Sequence, residues 1–287
     1  MKTTAQWALS LAAWSARILP KSIVQGLYRL GPAAALIRRF LNRTAPEGRS
    51  VVAIAAGSLE GRRMELDLQT EKDYWLGTYE PQLQASVADF ARPGQVAYDV
   101  GANIGYISLM LAEVVGPDGQ VFAFEALPEN VGRLQTNVAL NELERIVTIV
   151  PAAVIEASRP VEFIVGRSGS TGKASGSAGR EPEGERTVRV SGLSLDEFIY
   201  QSGNPPPQLV KIDIEGGEIQ ALPGMERLLE EHSPTILLEL HGPEAANAAW
   251  EVLTRNRYTL RKMEPGYPPV GSLEQMDWKT YVLASRQ

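Results

Sequence analysis

The order of apolar runs along the chain predicts an α/β fold, a mostly parallel sheet with helices on both faces. Three observations carry this expectation. Strand-like runs alternate with helical periodicity over most of the sequence, and 287 residues suffice to bury a full core. The third is local. The run from Val96 ends in Asp99, turns through Gly101, Asn103 and Gly105, and enters a helical pattern; a second run from Val121 then ends in Glu125.

Taken in order, residues 1–45 read as two helical segments broken near Pro20 and Gly31-Pro32, within an N-terminal extension assigned to 1–50. The runs 51–56 and 62–68 read as a strand pair across Gly57-Ser58, with helical patterns at 73–76 and 81–90. Sheet strands are expected at 96–100, 121–125, 146–150, 209–214, 235–240, 258–263 and 280–284. Helices at 104–115, 128–140, 217–231 and 243–256 fill the gaps. The stretch 154–208 departs from this alternation. Val161–Val165 and Thr187–Val190 read as an extra strand pair around a Gly/Ser-rich, charged loop at 166–186. That loop is either a floppy insertion or a substrate-covering lid presenting Arg167, Lys173, Arg180 and Arg186.

Composition excludes several classes of function. There is no cysteine, so disulfides and thiolate chemistry are absent, and two histidines rule out a histidine-rich metal site. A net charge of −6 argues against non-specific nucleic-acid binding. The charge is unevenly spread. The first 46 residues hold seven basic side chains and no acid, which leaves −13 on the remainder. Trp7, Leu11, Trp14 and Ile18 fall on one helical stripe, so this segment reads as a membrane-surface helix or as an extension packed on the body or a dimer interface. The short apolar run after Lys2 makes a poor signal peptide, and no run approaches the ~20 apolar residues needed to span a bilayer. The expected location is cytoplasmic, with peripheral membrane contact through residues 1–45 and a homo-oligomer left open.

The glycine turn carries the most chemistry. Gly101 permits positive φ and lets the main chain approach a ligand closely, and Gly105 lets the helix sit close to the sheet. Glu125, 24 residues beyond Gly101, stands where an acid can accept hydrogen bonds from ribose hydroxyls. The spacing is Gly-x-x-x-Gly, and Ala102 and Asn103 crowd the place a pyrophosphate would need. A phosphate-free adenosine cofactor such as S-adenosylmethionine suits it better than a dinucleotide. Purely structural glycines remain the plain alternative.

From about Val51 onward the chain resembles the FkbM family of S-adenosylmethionine-dependent methyltransferases. The stretches that carry the resemblance are Gly77-Thr-Tyr-Glu-Pro81, Asp99 to Gly105, Phe124-Glu125 with Pro128-Glu-Asn130 and Asn137, Leu193-Ser-Leu-Asp196, and Lys211-Ile-Asp-Ile-Glu-Gly-Gly-Glu218. The resemblance implies a class I, Rossmann-like domain over 51–287 with seven strands, the last antiparallel. It implies O-methylation of a hydroxyl on a sugar, glycan, glycolipid or secondary metabolite. It also brings Glu80 toward the cofactor, although an exposed acid before a helix-starting proline is an equally plain reading. Cofactor contacts are then expected from Glu80, Asp99, Gly101, Asn103, Gly105, Glu125 and Ala126, with Asn130 and Asn137 structural.

Methyl transfer from a sulfonium asks the protein for alignment, exclusion of water and a sink for the hydroxyl proton. Such groups belong at the carboxyl ends of the strands. Asp213 and Glu215 close one run and Glu239 and His241 the next, and residues two apart share a face. Asp213 is expected to orient the cofactor's amino group or act as base, or else to cap the following helix. His241 is the imidazole placed to act as a base near neutral pH, or else a cap for the helix after Gly242-Pro243. Glu215 and Glu239 are expected to bind the acceptor. No metal is expected, with Asp213, Glu239 and His241 the alternative set for a divalent ion. His232 reads as a favourable charge at a helix end. Two rival functions remain, a dinucleotide-dependent oxidoreductase on the same plan and a non-catalytic interaction module.

Overall fold

The computed structural model describes residues 48–165, 172–174, 177 and 186–286. The basic stripe at 1–46, and Arg167 and Arg180 of the expected lid, lie outside the described residues. The chain divides into two compact units, Met1–Pro81 and Gln82–Gln287. Glu80 therefore falls in the first.

In the first unit, β1 (Arg49–Ala53) pairs antiparallel with β2 (Arg63–Asp67), followed by the single turn α1 (Lys72–Trp75). Ile54, Leu59, Met64 and Leu66 are fully buried.

The second unit opens within α2 (Pro81–Phe90), at Gln82, and is built on a seven-stranded sheet. Its strands are β3 (Val96–Val100), β4 (Gln120–Phe124), β5 (Val147–Val150), β10 (Leu209–Ile212), β11 (Thr235–His241), β12 (Thr259–Lys262) and β13 (Lys279–Ser285). The spatial order is β12-β13-β11-β10-β3-β4-β5. Parallel pairing runs from β11 to β5, and β13 lies antiparallel between β11 and β12. The seven expected strands are all present, and the order reverses beside β3, which creates the crevice where such sheets take ligands.

The two-residue period of the strands sorts their side chains. Tyr98, Phe122, Phe124, Val210, Ile212, Ile236 and Leu238 enter one core. Phe198 caps them, 5.1 Å from Phe124 and 5.4 Å from Phe122 between ring centroids. It sits on α5 (Leu195–Tyr200), an element too short to stand out in the sequence. The alternate positions, Asp99 and Lys211 among them, turn to the face where Ser108 of α3 (Tyr106–Val115) bonds Asp99.

Beyond β5, α4 (Pro128–Ala139) begins at its proline as expected. The expected extra strand pair belongs to a four-stranded sheet of order β6-β9-β7-β8: β6 (Ala153–Val154), β7 (Pro160–Val165), β8 (Gly172–Ala174) and β9 (Arg186–Leu193). Arg186 opens β9, and Lys173 lies within β8. Two further expectations are corrected. The helix over 217–231 is broken into α6 (Glu218–Ala221), a 3-10 turn Leu222–Met225 and α7 (Glu226–Glu231). Pro223 has no N–H to continue the ladder, and Gly224 must pass so close to Ile155 that a Cβ would lie 2.3 Å from its carbonyl. The strand expected over 209–214 ends at Ile212, so Asp213 and Glu215 stand in the turn beyond it. After β11, α8 (Pro243–Arg255) returns along the sheet.

Candidate active site

The turn after β3 is fixed from three sides. Gly101 and Ala102 donate their N–H groups to the Phe124 carbonyl at 3.0 and 2.9 Å. Gly101 has φ +79°, and a Cβ there would lie 1.8 Å from the Asp213 carbonyl oxygen, so its close approach is to the turn after β10. Gly105 (φ +96°) packs against Leu134 of α4, 2.5 Å from where a Cβ would sit. The close packing expected of this glycine against the sheet is instead against a helix.

Glu125, at the tip of β4, is 8% exposed. Its two oxygens accept from the N–H groups of Asn103 and Leu127, each at 2.8 Å, and Asn130 approaches at 3.5 Å. Burial raises its pKa, against those donors and the charge of Lys211. Asn103 has φ +50°, and its side-chain oxygen is buried with no hydrogen-bond partner among the described residues. An orphaned acceptor beside a carboxylate that keeps free lone pairs suits a ligand rich in hydroxyl and amine donors, as S-adenosylmethionine is. Ala126 follows, half-buried. Asn137 is fully buried and holds the Ile104 carbonyl at 2.8 Å, the structural role expected of it.

Asp99 is fully buried. It meets Lys211 at 3.0 Å and the Ser108 hydroxyl at 2.6 Å. Lys211 also donates to the Gly101 carbonyl at 2.7 Å. Asp99 thus stands beneath the glycine turn and braces it through Lys211, a residue the sequence marked as part of a signature and gave no task.

Asp213, Glu215, Glu239 and His241 do converge. The register that pairs Ile212 with Leu238 carries Asp213 and Glu239 out at one level. The His241 Nε2 lies 3.2 Å from Glu239, 3.6 Å from Glu215 and 3.9 Å from Asp213, while Nδ1 faces Glu218 at 3.3 Å. Lys279, opposite His241 on β13, contacts Glu239 as well. Glu218 is fully buried and Glu239 is 3% exposed; Glu215 lies open at the mouth. Glu218 is a second participant that the sequence placed in its signature without assigning a role.

This setting bears on the expected role of His241. Burial alone would lower its pKa, but Glu218, Glu239 and Asp213 outweigh burial and push it up to about 10. With these groups around it and nothing else bound, the ring favours its protonated form, which opposes the expected role of a base. Burial pushes Asp213 up to about 7, opposed by Lys211 and His241 and assisted by Glu239. Glu239 would rise on burial, yet His241 and Lys279 hold it near 2. The capping alternatives fall as well. Gly217 and Gly242 occupy the N-caps of α6 and α8, with no side-chain cap bond to either. His232 ends α7 and its ring stacks on Tyr200.

The sequence comparisons identify the family. The methyltransferase FkbM domain matches residues 99–260. The chain is 31% identical to the hexuronic acid methyltransferase AglP of Haloferax volcanii over 160 residues, covering 53% of this chain and 58% of that protein. It is 24% identical over 225 residues to the 31-O-demethyl-FK506 methyltransferase FkbM of Streptomyces tacrolimicus, covering 70% and 82%. A shorter match to the arsenite methyltransferase of Halobacterium salinarum, 34% over 74 residues, covers 26% of this chain and 18% of that one. The first of these relatives is thus matched over little more than half its length, and the arsenite enzyme over far less. Among solved structures, a methyltransferase FkbM from Methylobacillus flagellatus aligns with TM-score 0.42 at 18% identity, over 76% of this chain and 54% of that one. No helix among the described residues is long and apolar enough to cross a membrane. The family match sets aside the dinucleotide-dependent oxidoreductase, and the chain belongs to the FkbM family of S-adenosylmethionine-dependent methyltransferases.

Proposed function

We propose that this protein methylates a hydroxyl oxygen on a saccharide or a similarly hydroxylated small molecule. The observation that carries the reading is the position of the acidic cluster. Asp213, Glu239 and His241 gather at the carboxyl ends of β10 and β11, and the Asp213 backbone abuts the Gly101 turn. An acceptor hydroxyl held by these carboxylates would therefore lie beside the cofactor turn. The relatives point the same way, since hexuronic acid and an O-demethyl compound appear in their names.

S-adenosylmethionine, when bound, supplies a methyl group activated by its sulfonium. Glu125 and Asn103 are the residues that would hold it, with Ala126 beside the adenine. Gly101 and Gly105 shape the turn, and Asp99 supports it through Lys211. Glu215 and Glu239 accept hydrogen bonds from the acceptor's hydroxyls. Asp213 takes the reacting proton, a role assigned from its place between the turn and the cluster. His241 and Lys279 fix the carboxylates in position. The basic first 46 residues favour an acceptor presented at a membrane surface.

The test supplies methyl-labelled S-adenosylmethionine with a panel of hydroxylated saccharides that includes hexuronic acids. Label on an acceptor oxygen is expected. Asp213→Asn should lower kcat by ~10²–10⁴ while S-adenosylhomocysteine still binds. Label on a nitrogen acceptor instead, or full turnover by the variant, would remove this assignment.

A further inference from the structure

We propose that Asp213, Glu239 and His241 form a binding site for one divalent cation of the manganese or magnesium class. The proposal deepens the O-methylation reading and rests on it only for its purpose. One atom from each of the three lies within 4.8 Å of the others. Donors spaced 3.2 Å (Glu239 to His241) and 3.9 Å (Asp213 to His241) match those around an ion with bonds of ~2.1 Å, whose neighbouring ligands stand ~3 Å apart and opposite ones ~4.2 Å. Two carboxylates with one imidazole make a set that such ions accept.

Two further observations separate this cluster from an ordinary patch of acids. The His241 Nδ1 faces the fully buried Glu218 at 3.3 Å, the arrangement in which a carboxylate fixes a metal-binding histidine. With the Nδ1 proton held by Glu218, loss of the Nε2 proton to an incoming cation would turn that nitrogen's lone pair toward Asp213 and Glu239. In addition, Glu239 Oε2 and Glu218 Oε2 are buried with no hydrogen-bond partner among the described residues, and the other oxygen of each faces His241. A carboxylate oxygen left without a partner at such depth is costly, and a cation seated on Glu239 would lower that cost. Glu215, 3.6 Å from Nε2 and open to solvent, stands where an ion and acceptor would enter.

Lys279 now supplies positive charge to Glu239 from a half-exposed side chain, so ammonium and metal ion compete for the same oxygen. A seated cation would lower the pKa of an acceptor hydroxyl bound to it, leaving the proton to pass to the free oxygen of Asp213.

The experiment is a titration of chelator-treated full-length protein with manganese chloride, following the resonance of free Mn²⁺. One ion per chain is expected. Glu239→Gln and His241→Ala should weaken uptake at least tenfold, and Glu218→Gln by ~10–100-fold through loss of the histidine's orienting partner. Lys279→Ala should tighten it. Binding of S-adenosylhomocysteine in the same samples reports that each variant is folded. No uptake by the wild-type protein at millimolar Mn²⁺, or uptake unchanged in both Glu239→Gln and His241→Ala, would overturn the site. Uptake needs no acceptor and no turnover. Stoichiometric Mn²⁺ binding in a protein that methylates no hydroxyl would therefore uphold the site while the O-methylation reading fell.

Discussion

Lys211 shows how much of this site depends on groups whose task a sequence does not reveal. An ammonium on a strand whose residues are all buried is costly unless paired, and here it is paired with Asp99, one strand away in register. Lys211→Met would leave buried Asp99 with the Ser108 hydroxyl but no counter-charge, and the Gly101 carbonyl without its donor. A loss of ~3–5 kcal/mol of stability is expected, read from the denaturation midpoint. Glu125 makes a different case. Burial raises its pKa, so the folded state favours its neutral form, and that contribution is lost as pH rises through the raised value. Cofactor affinity has the opposite sign, because only the carboxylate accepts from both ribose hydroxyls. Affinity for S-adenosylhomocysteine should therefore fall on acidification before an ordinary carboxylate would titrate. Glu125→Gln should lower affinity ten- to a hundred-fold, about 1.5–3 kcal/mol, and flatten that pH profile in calorimetry. The glycine turn and Glu125 were legible because their spacing is local. The pairing of Lys211 with Asp99 was not, because it is created by strand order, and Glu218 and Lys279 were missed beside the expected group around His241 for the same reason.

Among the elements, Leu193-Ser-Leu-Asp196 shows a family signature with a structural job. Ser194 caps α5 by accepting from the Glu197 N–H at 3.1 Å. Asp196 reaches α7, accepting from the N–H groups of Arg227 and Leu228 at 3.0 and 2.9 Å. Those donors sit in the first turn of a helix that Pro223 and the 3-10 turn have cut off from α6, so nothing within the helix could satisfy them. Asp196→Ala should cost ~0.5–2 kcal/mol of stability and leave S-adenosylhomocysteine affinity unchanged, which separates scaffold from site. A comparable loss of affinity would mean that α7 bears on the cofactor turn. Long apolar runs made the sheet strands readable to within two residues, whereas β6 and β8, of two and three residues, have no period to read.

For the whole molecule, charge is the remaining lever. Seven basic side chains before residue 47 stand against −13 on the rest, so any attraction to an anionic surface comes from one end of the chain while the body is repelled. Each basic residue close to such a surface is worth ~1 kcal/mol, and the effect decays within a Debye length of ~10 Å at 0.1 M salt. Full-length protein is therefore expected to sediment with vesicles of anionic lipid at low salt, to be released as salt rises, and to ignore vesicles of neutral lipid. The stripe of Trp7, Leu11, Trp14 and Ile18 would add a salt-resistant part if it enters the interface. Binding to anionic vesicles would direct the search for an acceptor to lipid-linked saccharides. Failure to sediment at low salt would remove the membrane argument and leave soluble sugars and metabolites as the acceptors to screen, with the acidic cluster and its cation site untouched by the result.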